Sequence, residues 1–303
     1  MEKKSMFEWE ELKKLKKGSN ADIYLAVITA PQEWKENVVI MKSSRPYSME
    51  SLQKEEKIMR SFIGCEEIHQ CSFSQFTEEK GKLIYNLSME CALFGSMGDL
   101  IRKRALLESE VRVYTRMLLK GLSLIHKSGI VHCDLNPDNI LLFPSCNDEA
   151  SYKVKIANFG LSKTKEETIK DKIKFRGTPF YMSPESVMGE IETPLDIWSL
   201  GCTVIEMVTG LPIWSNLGSK ADLMFKLAFL KEAPEIPDGI SHECKDFLSK
   251  CFIKDPSKRW SANMLLNHPF LFAPYDMFRG YESFSMVNSS YFSYDCNLVS
   301  FKV

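Results

Sequence analysis

No two cysteines in this chain are spaced Cys-x-x-Cys, although nine are present, at positions 65, 71, 91, 133, 146, 202, 244, 251 and 296. The missing motif and the odd, dispersed set predict free thiols in a reducing compartment. No segment offers the roughly 18 uninterrupted apolar residues that a membrane-spanning helix needs, and the N-terminus has no apolar leader-like run. Met1 is followed by Glu2 rather than glycine, which argues against myristoylation. Charge of one sign is also lacking. The formal net charge is -1, so nothing in the balance calls for nucleic acid or an anionic membrane as partner. The first seventeen residues hold six lysines against four glutamates, a solvated segment rather than a polybasic anchor. No internal repeat is visible. These absences predict a soluble cytoplasmic protein, with the nucleus as a further compartment. A chain of 303 residues, 44% hydrophobic, can still bury a full core.

The apolar residues are arranged in two ways along the chain. Ile23–Ile28 and Val38–Lys42 are short runs rich in strand formers. Residues 49–63 then take helical spacing, with Leu52, Met59, Phe62 and Ile63 on one face. Glu55 falls on that same face. A carboxylate directed at a core is costly unless a cation meets it, and Lys42 on the neighbouring strand is available. Beyond residue 95 the pattern is mainly helical. Val111, Tyr114, Leu118, Leu122 and Ile125 form a stripe that stops at Ser128-Gly129. Residues 195–208 are apolar almost all round, as in a helix buried on every side. The polar stretch 144–151 predicts a loop before a strand at Lys153–Ala157, residues 162–176 a charged, mobile segment, and the aromatic, serine-rich end has no clear period. A small β-rich part followed by a larger helical part is expected, with the boundary near residues 90–95.

Two motifs carry chemistry. Residues 132–139 read His-Cys-Asp-Leu-Asn-Pro-Asp-Asn, and Asn158-Phe159-Gly160 follows after a fixed interval. They resemble the catalytic loop and metal-binding turn of eukaryotic protein kinases, usually H-R-D-L-K-P-x-N and D-F-G. The resemblance runs from about residue 10 to 271 through further motifs in the right order. These are Leu15–Ile23 in place of the Gly-rich loop, Lys42 and Glu55 in place of the ion pair, and Gly177–Glu185 at the end of an activation segment. Asp196–Gly201 opens the central helix, and Arg259 lies within Asp255–Trp260. The wording of Gly201–Gly210 and of Phe175–Pro179 is closest to MEKK-type MAP kinase kinase kinases, especially those of plants. The resemblance implies an α+β, bilobal protein-kinase fold, with a small β-rich N-lobe holding one main helix and a larger, mostly helical C-lobe. The implied division is an N-terminal extension at 1–9, a kinase-like domain at 10–271 with its lobes meeting near 92/93, and a tail at 272–303.

Carried over residue by residue, the resemblance makes Asp134 the base for the substrate hydroxyl and places Asn136 where a catalytic lysine belongs. Gly18, Ile23, Ile40, Lys42, Glu55, Met89, Cys91 and Leu141 surround ATP. Asn139 and Asn158 are the metal ligands, the second weakened because an amide stands for a carboxylate. Thr178 and Glu185 belong to the activation segment; His132, Phe159, Asp196 and Arg259 are structural, His132 and Phe159 stacking with Met59 between the lobes, Asp196 anchoring that stack and Arg259 pairing with Glu185. The implied cofactors are ATP and Mg²⁺, and the implied partners are proteins of a kinase cascade, such as a MAP kinase kinase. Four departures argue against efficient use of those cofactors. Asn158 removes a negative charge from the cation, and loss of one preorganised charge-stabilising group costs on the order of 10²–10³ in rate. Asn136 removes a cation from beside the transferred phosphate. The glycine pattern becomes Lys16-x-Gly18-x-x-Ala21, so side chains intervene where backbone amides approach phosphate. Lys16 offers either an ammonium to phosphate or an ordinary solvated side chain. Ile40 stands where a small residue roofs adenine, and overfilling a close-packed site costs about 1–3 kcal/mol. Cys133 replaces the arginine that reads activation-loop phosphate and is expected to be a buried thiol. Apolar and structural motifs persist while phosphate and metal motifs decay, which predicts a pseudokinase or strongly impaired kinase kept for its shape and acting through protein partners. The alternative is a genuine but slow serine/threonine kinase, since Asp134, Lys42, Glu55 and Asn139 all remain and Thr178 matches the Ser/Thr-type segment.

Overall fold

The computed structural model describes residues 7–18, 20–30, 38–145, 150–167, 176–215, 220–229 and 233–272. The tail beyond Phe272 and most of the charged segment 162–176 lie outside the described residues.

Five strands, β1 (Glu8–Lys17), β2 (Ala21–Ala30), β3 (Val38–Ser44), β4 (Cys71–Glu79) and β5 (Lys82–Met89), form an antiparallel sheet in the order β1-β2-β3-β5-β4. The two runs rich in strand formers became β2 and β3. The segment read as solvated is β1, exposed along nearly its whole length. Its many Glu and Lys residues suit an edge strand, where charge discourages pairing with another chain. Strands β4 and β5 meet at Lys80-Gly81, both at positive φ, with Glu79 opposite Lys82. That is a two-residue hairpin, whose turn favours glycine at its second position.

Helix α1 (Met49–Arg60) lies between β3 and β4 in sequence and buries Leu52, Ile58 and Met59. The predicted face is cut short at one residue: Ile63 is 66% exposed. The helix stops at Arg60 and the chain turns through Gly64 at φ +81°, so the 3.6-residue period does not extend to position 63. From Met89 the chain passes through residues 90–96 into α2 (Met97–Ile101), whose N-terminus is closed by a capping box between Ser96 and Asp99.

Helix α3 (Glu108–Lys127) carries the predicted stripe and ends before Gly129 at φ +72°. Strands β6 (Ile140–Pro144) and β7 (Tyr152–Ile156) pair as a separate ribbon packed on α3. After the short α4 (Pro184–Val187) comes α5 (Pro194–Thr209), started by proline at its first position and stopped by Gly210 at φ +76°. Ile197, Trp198, Leu200, Cys202, Val204 and Met207 of α5 are all buried, as expected of a helix with no polar face. Helices α6 (Lys220–Ala228), α7 (His242–Cys251) and α8 (Ala262–Leu265) complete the helical part. The main core runs unbroken from Leu52 and Met59 of α1 through α3 and α5 to Leu271. A smaller core under the sheet centres on Val39, Met41 and the stacked Phe7–Phe73 pair. The architecture is α+β and two-lobed.

Candidate active site

Strand β3 and helix α1 present the first pair. Lys42 Nζ donates to Glu55 Oε1 at 2.9 Å and Oε2 at 2.7 Å, with the carboxylate side chain only 3% exposed. The helix therefore buries a charge on its apolar face, and the strand supplies the cation that makes this tolerable.

The loop between α3 and β6 is fixed from below by Asp196, itself fully buried near the start of α5. Its carboxylate accepts from the backbone N–H of His132 at 2.8 Å and of Cys133 at 2.9 Å, and meets His126 Nε2 at 2.8 Å. Cys133 sits at φ +68°, a left-handed conformation unusual for a residue with a Cβ. Its thiol is buried as expected, and burial, reinforced by the Asp196 charge, pushes its pKa well up. His132 packs edge-on against the fully buried Phe159 at 5.1 Å between centroids, and its Nε2 meets the Ala157 carbonyl at 3.0 Å. These apolar and backbone contacts hold Asp134 and Asn158 in place.

From there a continuous polar chain crosses the site. Lys42 Nζ donates to Asn158 Oδ1 at 3.1 Å. Asn158 Nδ2 donates to Asn139 Oδ1 at 3.1 Å. Asn139 Nδ2 donates to Asp134 Oδ2 at 2.8 Å. Asp134 Oδ1 accepts from Thr178 Oγ1 at 2.7 Å and from Asn136 Nδ2 at 3.1 Å. Asn136 also accepts from the Asp138 N–H at 3.1 Å, capping the single 3₁₀ turn Pro137–Asn139. It therefore works as a loop hydrogen-bonder and leaves no cation at its position. Asn158 lies at φ +68°, a conformation asparagine tolerates better than most residues.

This donor set does not fit a divalent cation. Both amide oxygens, on Asn139 and Asn158, are neutral and each accepts a hydrogen bond from the protein itself. Both oxygens of the single carboxylate, Asp134, are also engaged. A carboxylate at 158 could not donate to Asn139, so the amide is what closes the chain. Among the described residues no group of three His, Cys, Asp or Glu side chains is arranged to hold a metal.

The connection from β1 to β2 is pinned as well. The Gly18 N–H donates to the Ala21 carbonyl at 3.0 Å and so is engaged by the chain itself. Arg45, just past β3, holds the Gly18 carbonyl through Nη2 at 3.1 Å and Asp22 at 3.1 Å. A Cβ on Gly18 would come within 2.4 Å of the Ala21 oxygen, so this tight loop requires glycine. Lys16 is exposed on β1 opposite Ile23. Ile40 and Met89 are direct cross-strand neighbours, Ile23 lies opposite Lys42, and Cys91 and Leu141 are half-buried nearby in sequence to Met89 and Asn139. Glu185 and Arg259 form a separate ion pair; the guanidinium is fully buried and also donates to the Pro194 and Ile253 carbonyls at 2.9 Å.

Several contributors were missed by sequence reasoning. Arg45 and Asp22 act on backbone, so no spacing rule exposes them. Lys155 pairs with Glu90 at 2.6 Å in the connection between lobes. Tyr181 donates to the buried Glu206 at 2.5 Å. A glutamate in the apolar second half of α5 was the available signal for that last pair.

The protein kinase domain family matches residues 9–271. Mitogen-activated protein kinase kinase kinase 20 of Arabidopsis thaliana is 42% identical over 243 residues, covering 77% of this chain and 69% of that protein. Mitogen-activated protein kinase kinase kinase 17 of the same plant is 38% identical over 270 residues, covering 87% and 69%. Mitogen-activated protein kinase kinase kinase A of Dictyostelium discoideum is 39% identical over 180 residues, covering 58% of this chain and 18% of that protein. With its two lobes, its Lys42–Glu55 pair and its Asp134 loop anchored on Asp196, the chain belongs to the protein kinase domain family, and it is similar to plant MAP kinase kinase kinases.

Proposed function

We propose that this chain is a kinase-fold signalling protein whose phosphoryl transfer is impaired and which acts by binding protein partners in a MAP kinase-type cascade. One observation carries the reading: the chain Lys42–Asn158–Asn139–Asp134 is complete without a cation. Phosphoryl transfer depends on positioning and on neutralising the charge that develops on the phosphate. In this site Asn158 lowers the negative charge offered to a metal, Asn136 supplies no cation, and the Gly18 amide is engaged by the chain itself. The surviving apolar stack and the buried Asp196 and Arg259 anchors maintain a surface that partners recognise. A MAP kinase kinase is the partner suggested by the names of the relatives.

The alternative is a slow, ATP-dependent serine/threonine kinase. Its specific support is that Lys42 already grips Glu55 and that Asp134 already accepts a hydroxyl proton donor, Thr178. Nucleotide binding measured with and without Mg²⁺ separates the two. The proposal expects weak binding that the metal does not strengthen, whereas tight, Mg²⁺-dependent binding favours the slow enzyme.

A further inference from the structure

Helix α1 carries two adjacent charged residues that point to different parts of the protein. Glu55 meets Lys42, whereas Lys54 reaches the segment after Phe159-Gly160. Lys54 Nζ donates to the Ser162 carbonyl at 2.5 Å and ion-pairs with Glu167. Arg176 donates to the same Ser162 carbonyl at 3.2 Å and to Glu167 Oε2 at 2.5 Å. Two cations thus converge on one carbonyl oxygen, an arrangement that repels itself unless an anion lies between them. The anion is Glu167, 19% exposed.

The cluster is anchored to the catalytic loop. Ser162 is fully buried, and its hydroxyl donates to the His132 carbonyl at 3.1 Å. Lys163 and Val131 exchange backbone hydrogen bonds at 2.9 Å in both directions. Glu167 is held by its own turn, its N–H donating to the Thr164 carbonyl at 3.2 Å. Burial works against its ionised form, but hydrogen bonds from Arg176 and Lys54 outweigh it and keep the carboxyl below the ordinary glutamate value. Cys133, buried beside this group, adds no charge to it.

We propose that Glu167 is a positioning residue: a permanent carboxylate that, through Lys54, holds α1 against the catalytic loop and so keeps Glu55 on Lys42 without covalent modification of the segment. The geometry makes the position of α1 a built-in property of the chain. It applies equally to a binding protein and to a slow enzyme, so it stands or falls apart from the proposed function.

Hydrogen exchange of residues 49–60 in the full-length protein tests it. Glu167→Gln and Lys54→Met are each expected to speed exchange in α1 about 5- to 30-fold, the factor that corresponds to about 1–2 kcal/mol. The double variant should do little more than either single change, because the residues act as one unit. Glu167→Asp, which keeps the carboxylate, should recover part of the protection, and exchange in α5 and α7 should not move. Phosphatase treatment of the wild type should leave α1 unchanged. Unaltered α1 exchange in Glu167→Gln, equal loosening of α5, or loosening of α1 by phosphatase alone would each overturn the assignment.

Discussion

At position 158 an amide replaces a carboxylate, and the replacement changes a repelled oxygen into a donor. Asn158 Nδ2 faces Asn139 Oδ1 at 3.1 Å, a direct hydrogen bond that an ionised carboxylate at 158 could not donate. Wild-type protein is therefore expected to show no Mg²⁺-dependent change in unfolding midpoint. Asn158→Asp should gain one, about 1 kcal/mol when the metal exceeds its Kd several-fold. The same variant should still lack normal turnover, because Asn136, Ile40 and the Gly18 loop are unchanged; robust activity from that single change would count against the account. The thiols give a second residue-scale expectation. Cys133, Cys202, Cys244 and Cys251 are buried, and desolvation pushes each pKa up, Cys244 to about 12. Native-state labelling near neutral pH should leave these four unmodified while the partly exposed Cys65, Cys71 and Cys91 react.

Among the elements, α5 is the one whose packing is least forgiving. A Cβ on Gly201 would lie 2.8 Å from the Phe252 ring and 2.9 Å from Cys251 Cβ. Gly201→Ala should therefore cost about 1–3 kcal/mol of stability, measured by urea denaturation. Glu206 on the same helix is held above the ordinary glutamate value, mainly by burial, although Tyr181 donates to it. The folded protein then binds that proton more tightly than the unfolded chain. The resulting stability is present below the unfolded value and lost as pH rises through the folded one. Glu206→Gln should accordingly be more stable than wild type at pH 7, with the advantage disappearing in acid; an equal difference at both pH values would contradict the burial argument. The elements also show what the sequence made legible. Helices α3 and α5 were readable because their faces are buried over four or more turns. Strand β1 was not, since its Glu and Lys side chains bury nothing and leave no period to detect. Strands β4 and β5 had a signal, the Lys80-Gly81 turn, which pattern reading of longer apolar runs passes over.

For the whole molecule, motif order was enough to anticipate the two lobes, the Lys42–Glu55 pair and the Asp196 anchor. The closed polar chain was not legible, because it depends on which way two amides face and on backbone at Asn158 that no spacing encodes. The clamp of Lys54, Glu167 and Arg176 escaped for a similar reason, since it joins residues far apart in sequence. What holds the helical lobe together is more predictable. Arg259 is fully buried, pairs with Glu185 and lies over the Trp198 ring at 5.1 Å. Arg259→Ala leaves that carboxylate unpaired and should cost about 3–5 kcal/mol, read as a lowered unfolding midpoint. The central claim, that this fold is retained while transfer is impaired, is tested most directly with labelled ATP, the protein itself and a generic basic substrate, first in Mg²⁺ and then in Mn²⁺. An Asp134→Asn variant prepared in parallel identifies signal from contaminating kinases. The account predicts incorporation that is absent or the same in both proteins; incorporation that is robust in wild type and vanishes in Asp134→Asn would contradict it.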